Sequence, residues 1–156
     1  MNKTKFLAFF AVSAIFLACG SQDEVAPKEE IVVLLDSEPN DTEELANNIA
    51  SDGTKFAGTL DGSEEDFYTF MLRIGMGDIV EITINASEAL RVDFYRPGVT
   101  KKTWSVKSGV LQEIIGTSYL IEGDIVGGEI PFYIRLYPIG YDSPPNAYKI
   151  SVVIKK

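Results

Sequence analysis

The chain has 156 residues with 14 basic and 23 acidic side chains, a net charge of −9, no histidine and a single cysteine. That balance argues against a nucleic-acid surface, which needs a basic stripe to displace counterions, and against anionic headgroups. The lack of histidine removes Ser-His and Cys-His nucleophile pairs and ordinary zinc sites, and a lone cysteine makes no internal disulfide.

Residues 1–18 read as a secretory signal. Lys3 and Lys5 form a positive start, and the apolar run Phe6 to Ala18 is interrupted only by Ser13. The run is too short to span a bilayer, which takes about 20 apolar residues, and it suits a signal core. Phe16-Leu17-Ala18-Cys19 resembles the lipobox of bacterial lipoproteins, although Phe16 and Leu17 stand where Leu and a small residue are preferred. The resemblance implies cleavage before Cys19, lipid on its sulfur and amine, and an exported protein anchored to the membrane of the cell envelope. Gly20-Ser21 after the cysteine lacks an Asp retention signal, which tilts the expectation toward the outer membrane. The plainer alternative is an ordinary cleaved signal. Without the signal's two lysines the net charge becomes about −11 at the usual ionisations. Residues 19–30, acidic and short of large apolar groups, read as a flexible tether.

Residues 31–156 are expected to form one domain. Short runs with period-two alternation or β-branched and aromatic content predict strands at Ile31–Leu35, Lys55–Leu60, Asp66–Arg73, Asp78–Asn85 and Arg91–Arg96. Further runs follow at Thr103–Lys107, Val110–Ile115, Ser118–Ile121, Pro131–Tyr137 and Ala147–Ile154. So many strands leave no room for crossover helices, and glycine turns at 74–78 and 96–98 fit hairpins. The expected class is all-β: an antiparallel, jelly-roll-like β-sandwich of about eight to ten strands. One segment breaks the pattern. Asp41 as a cap, Glu44 three residues on, and Leu45 and Ile49 at helical spacing predict a short helix within 41–50.

Two acidic clusters stand out. Asp36, Glu38 and Asn40 alternate, so an extended chain points all three the same way, and Pro39 favours extension at Glu38. Glu64 and Asp66 share a face where Asp61-Gly62-Ser63-Glu64-Glu65-Asp66 opens a strand. Neither is an EF-hand, since Asp41 and Asp66 replace the glycine that such a loop requires. Met together, the two segments would offer a hard cation its oxygens. Solvated turns are the commoner use of such acids.

The motifs Glu38-Pro39-Asn40-Asp41-Thr42, Phe56-Ala57-Gly58-Thr59-Leu60 and Asp66-Phe67-Tyr68-Thr69-Phe70 carry a further resemblance. With Gly75-Met76-Gly77-Asp78, Val92-Asp93-Phe94-Tyr95, Phe132-Tyr133-Ile134-Arg135-Leu136 and Tyr148-Lys149-Ile150-Ser151-Val152, the chain resembles the bacterial pre-peptidase C-terminal domain. That resemblance implies a β-sandwich that accompanies secreted peptidases, with structural calcium in some members. Matched position by position, it implies Asp36, Glu38, Asn40, Glu64 and Asp66 as calcium ligands, with Asp36 and Glu64 departing from the common pattern by one methylene each.

Catalysis is not expected. Carboxylate pairs drawn from Asp61, Asp66 and Asp93 are formally available, but no phosphate loop or nucleophile pair accompanies them. A binding patch is expected from Lys101, Lys102, Trp104, Tyr137 and Tyr141, cations and amphipathic rings suited to an envelope or extracellular protein or to a polysaccharide. The competing view is that these rings fill the core and its rim. The expected role is a lipid-anchored, non-catalytic binding module. The alternatives are an envelope-assembly lipoprotein without a diffusible ligand and an accessory subunit of a secreted peptidase.

Overall fold

The structure, a computed structural model, describes residues 33–99, 101–140 and 144–156. The expected signal, Cys19, the tether and Tyr141 lie outside them. Among the described residues the strands are β1 (Val33–Leu35), β2 (Asn47–Asn48), β3 (Asp52–Leu60), β4 (Asp66–Arg73), β5 (Asp78–Tyr95), β6 (Lys102–Ile115), β7 (Glu129–Pro138) and β8 (Asn146–Lys155). The protein is all-β, and no described helix is long and apolar enough to cross a membrane.

The strands follow the order β1-β3-β8-β5-β7-β4-β2 in one sheet, with β6 paired to β5. Long β5 is where the sheet folds over: Ile79–Ala86 pair with β8 and Leu90–Tyr95 pair with β7. Between them the pairing with β6 shifts register from Asn85 to Leu90. Buried Asn146 secures this bend, its Oδ1 accepting from the Ser87 hydroxyl (2.9 Å) and the Glu88 amide (3.0 Å) while its Nδ2 donates to the Glu88 carbonyl (3.0 Å). The two halves thus face each other as layers of a sandwich. Runs expected as separate strands on either side of the bend are single strands, because β5 and β6 continue from one layer into the other.

Alternation fills the space between the layers. Tyr68, Phe70 and Leu72 of β4, Leu90, Val92 and Phe94 of β5, and Phe132, Ile134 and Leu136 of β7 are all buried. Phe94 stacks on Phe132 with centroids 5.3 Å apart, and Tyr119 meets both rings at 6.0 and 5.3 Å. A fully buried side chain of this kind contributes roughly 1.5–3 kcal/mol. Gly75 and Gly77 (φ 76° and 80°) make the β4–β5 turn and Gly98 (φ 81°) the β5–β6 turn, as their spacing predicts.

Three expectations differ from the fold. The segment 41–50 holds not the expected short α-helix but a single 3-10 turn, Glu43–Leu45, followed by β2. Two turns are marginal alone, Asn is a poor helix former, and Asn47–Asn48 instead pair with Tyr68–Thr69. Leu45 stays 50% exposed while Ile49 is buried, so the two do not share a helical face. Ser118–Ile121 is not a strand, because a 3-10 turn at Thr117–Tyr119 turns Tyr119 inward. Finally, the pairing is mixed: β1 lies parallel to β3 and β2 parallel to β4. Parallel neighbours need a connection of a dozen or more residues, and the excursion from β1 through β2 before β3 supplies one.

Candidate metal centre

β1 and β2 lie at opposite ends of the strand order, yet residues 36–46 alone join them. The sheet has curled until its edges meet, and this connection runs along the seam. It carries Asp36, Glu38 and Asn40. The first residue of β4, Asp66, comes to the same place because the Phe67 amide donates to the Asn40 carbonyl at 3.0 Å. One carboxylate oxygen each from Asp36, Glu38 and Asp66 lies within 4.8 Å of the other two. The two segments singled out in the sequence therefore converge.

Four of the five expected ligands assemble. Asn40 is 0% exposed, and its Nδ2 donates to both Asp36 oxygens at 3.0 Å while its buried Oδ1 has no hydrogen-bond partner. The two ends of an amide are interchangeable in shape, so a half-turn presents that oxygen to the carboxylates. Glu64 does not join the group. Its Oε2 accepts the Asp61 amide at 2.9 Å and holds the turn ahead of β4.

Sequence reasoning missed the groups beneath the acids. Tyr148 of β8 places its hydroxyl against Asp66 Oδ2, 3.0 Å from Asp36 Oδ2 and 2.6 Å from the Tyr68 hydroxyl. Asn47 donates from Nδ2 to Asp36 Oδ1 and, at 3.1 Å, to the Ser37 carbonyl. Tyr148 closes this part of the motif from 82 residues beyond Asp66, and no local spacing signals that. The approach requires Gly58 of β3, where a Cβ would come within 2.6 Å of Tyr148 Cζ and 2.8 Å of Asp36 Oδ2.

The cluster is short of protons. The Tyr148 hydroxyl has one hydrogen for two carboxylates, and among the described residues it is the only hydrogen-bond donor to buried Asp66. Burial pushes the Asp66 carboxyl up to about 7; the Tyr148 hydroxyl opposes this, and the charges of Asp36, Glu38 and Glu64 add to it. Burial and then the Asp36 charge also raise Glu38, against the lowering effect of the Asn40 amide. Burial drives Tyr68 and Tyr148 far upward, so both remain protonated donors. An all-oxygen donor set of three crowded carboxylates with an orphaned amide oxygen fits a hard divalent cation.

The candidate binding patch divides between two faces. Trp104 pairs with Val92 and packs against the core, whereas Tyr137 pairs with Arg91 on the outer face of β5 and β7. Lys101 Nζ reaches Asp93 Oδ2 at 3.0 Å, and Lys102 Nζ lies 3.9 Å from Glu113.

No protein-family model matches the chain, and no curated protein matches it in sequence. Among solved structures, it is similar to PliG of Aeromonas hydrophila, a periplasmic inhibitor of g-type lysozyme, at 11% identity and a TM-score of 0.45, covering 78% of this chain and 99% of that one. It is also similar to PliG of Salmonella Typhimurium, likewise a periplasmic inhibitor of g-type lysozyme, at 17% identity and a TM-score of 0.44, covering 70% and 100%.

Proposed function

We propose that the chain is a lipid-anchored, non-catalytic binding module of the pre-peptidase C-terminal type, stabilised by calcium at the seam of its β-sandwich. The observation that carries the calcium reading is the convergence of Asp36, Glu38 and Asp66 beside buried Asn40, whose amide contacts Asp36 and whose oxygen lacks a partner. Those four residues would hold the ion, which supplies positive charge where the fold has gathered negative charge. Its role is structural: it ties the chain after β1 to the start of β4, so that one bound ion fastens both edges of the curled sheet. The residues up to Cys19 support the anchor.

A non-catalytic role is supported by the state of the candidate acids. Asp93 is held by Lys101 and by the Thr103 hydroxyl, at 2.7 Å, and Asp66 belongs to the seam cluster. No histidine is present to act as a base.

Calcium at one hundred times its Kd should stabilise the protein by about 2.7 kcal/mol. The melting temperature should rise in calcium relative to chelator, and Glu38→Ala or the isosteric Asp66→Asn should remove most of the gain. Identical melting curves with and without the ion would end the calcium reading.

A further inference from the structure

Behind the seam, on the outer face of β5 and β7, lies a groove of about 320 Å³ between the Ser63–Glu65 turn and the end of β7. Two of its lining residues, Arg135 and Tyr137, lie against Asp93, which is 0% exposed although it points away from the core. Asp93 accepts from the Thr103 hydroxyl at 2.7 Å, from Lys101 at 3.0 Å and from the Tyr137 hydroxyl at 3.3 Å. Arg135 lies over the Tyr137 ring, its guanidinium carbon 4.5 Å from the centroid, and forks onto Glu65, with Nε to Oε2 at 2.8 Å. Tyr137 is thus held at its hydroxyl and across its ring.

Arg91 breaks this pattern of pairing. It stands opposite Tyr137 in the β5–β7 register, lines the groove and is exposed, and its guanidinium has no hydrogen bond or ion pair with any described residue. The Glu65 charge is already answered by Arg135, so the groove offers the Arg91 guanidinium, unpaired among the described residues, on a protein whose net charge is −9. The lining also includes the aliphatic Pro138 and Ile139, the latter 49% exposed.

We propose that this groove binds an acidic peptide segment, with an Asp or Glu carboxylate on the Arg91 fork and the next apolar side chain against Pro138 and Ile139. An arginine fork is the side chain best matched to a carboxylate, and prior clamping of Tyr137 lowers the ordering cost of binding. A peptide suits the site better than an acidic glycan because Arg135 already covers a face of Tyr137, the one aromatic ring among the described lining residues. The volume is at the small end of ligand sites, so a short segment fits.

The assignment builds on the binding-module reading but is independent of the cation, and the two fail separately. Calorimetry on the detergent-solubilised full-length protein would use acetyl-Gly-Glu-Ile-Gly-amide, its Gln counterpart and trigalacturonate. The Glu peptide should bind about tenfold tighter than the Gln peptide. Arg91→Gln should erase that preference and Arg91→Lys keep part of it, while both retain the wild-type melting response to calcium. Equal binding of the two peptides, a preference that survives Arg91→Gln, or Arg91-dependent binding of trigalacturonate in place of the peptide would each overturn the assignment.

Discussion

Gly58 has ordinary extended backbone, so its importance is one of space alone. A Cβ there would press on the Tyr148 ring and on Asp36 Oδ2 and separate β3 from the oxygens it supports. Gly58→Ala should therefore cost about 1–3 kcal/mol by overpacking, measured by urea denaturation, and should weaken any calcium response. A wild-type midpoint would show that the seam yields freely. The same residue marks how much of the site the sequence made legible. Asp36, Glu38 and Asn40 are readable because extended chain alternates, and Asp66 because it opens a strand. Tyr148, Tyr68 and Asn47 are not, since nothing local says that β8 or β2 will arrive there. Glu64 shares Asp66's face in the sequence pattern, but the free amide of Asp61 claims its carboxylate.

The connection between β6 and β7 depends on one ion pair. Arg96 and Asp124 are nearly buried, with Arg96 Nη2 to Asp124 Oδ1 at 2.7 Å, while Arg96 Nη1 also donates to the Tyr119 carbonyl at 2.7 Å. Arg96 first, and then the Ile121 amide, hold the Asp124 carboxyl down at about 2. A carboxyl whose folded pKa lies below its ordinary value stabilises the fold above that value, near 3.8, and loses the contribution as pH falls toward about 2. Asp124→Asn should accordingly be less stable than wild type at neutral pH, with the gap shrinking through that acid window in parallel urea titrations. A gap independent of pH would assign the loss to packing instead. Strand content in this region was legible, but continuity was not. The break expected between Asn85 and Arg91 is a bend within β5, visible only once Asn146 is known to satisfy the irregular backbone there. The helix expected near Asn47 fails for a related reason, because a tertiary bond to Asp36 outweighs a weak local preference.

For the molecule as a whole, the all-β class follows from period-two alternation, and the folding of one sheet onto itself from glycine turns and the shared strand β5. The parallel edges do not follow, because alternation is blind to strand direction. The proposed attachment to a membrane concerns the whole chain, and it rests on a cysteine outside the described residues. Cys19→Ala expressed in cells should leave the membrane fraction or accumulate uncleaved. Normal acylation and retention of that variant would mean that another anchor operates.

The short strand β1 leads the described domain, three exposed residues aligned with Lys55–Ala57 of β3 and followed at once by Asp36, whose amide is bonded to the Ala57 carbonyl at 2.9 Å. Tension on the chain ahead of Val33 would reach this strand before any part of the core, loading its few bonds in shear. Were β1 to peel away, Asp36 would leave with it and the seam would open. A cation held there would then work as a rivet, setting how hard that end could be pulled before the shell begins to unravel.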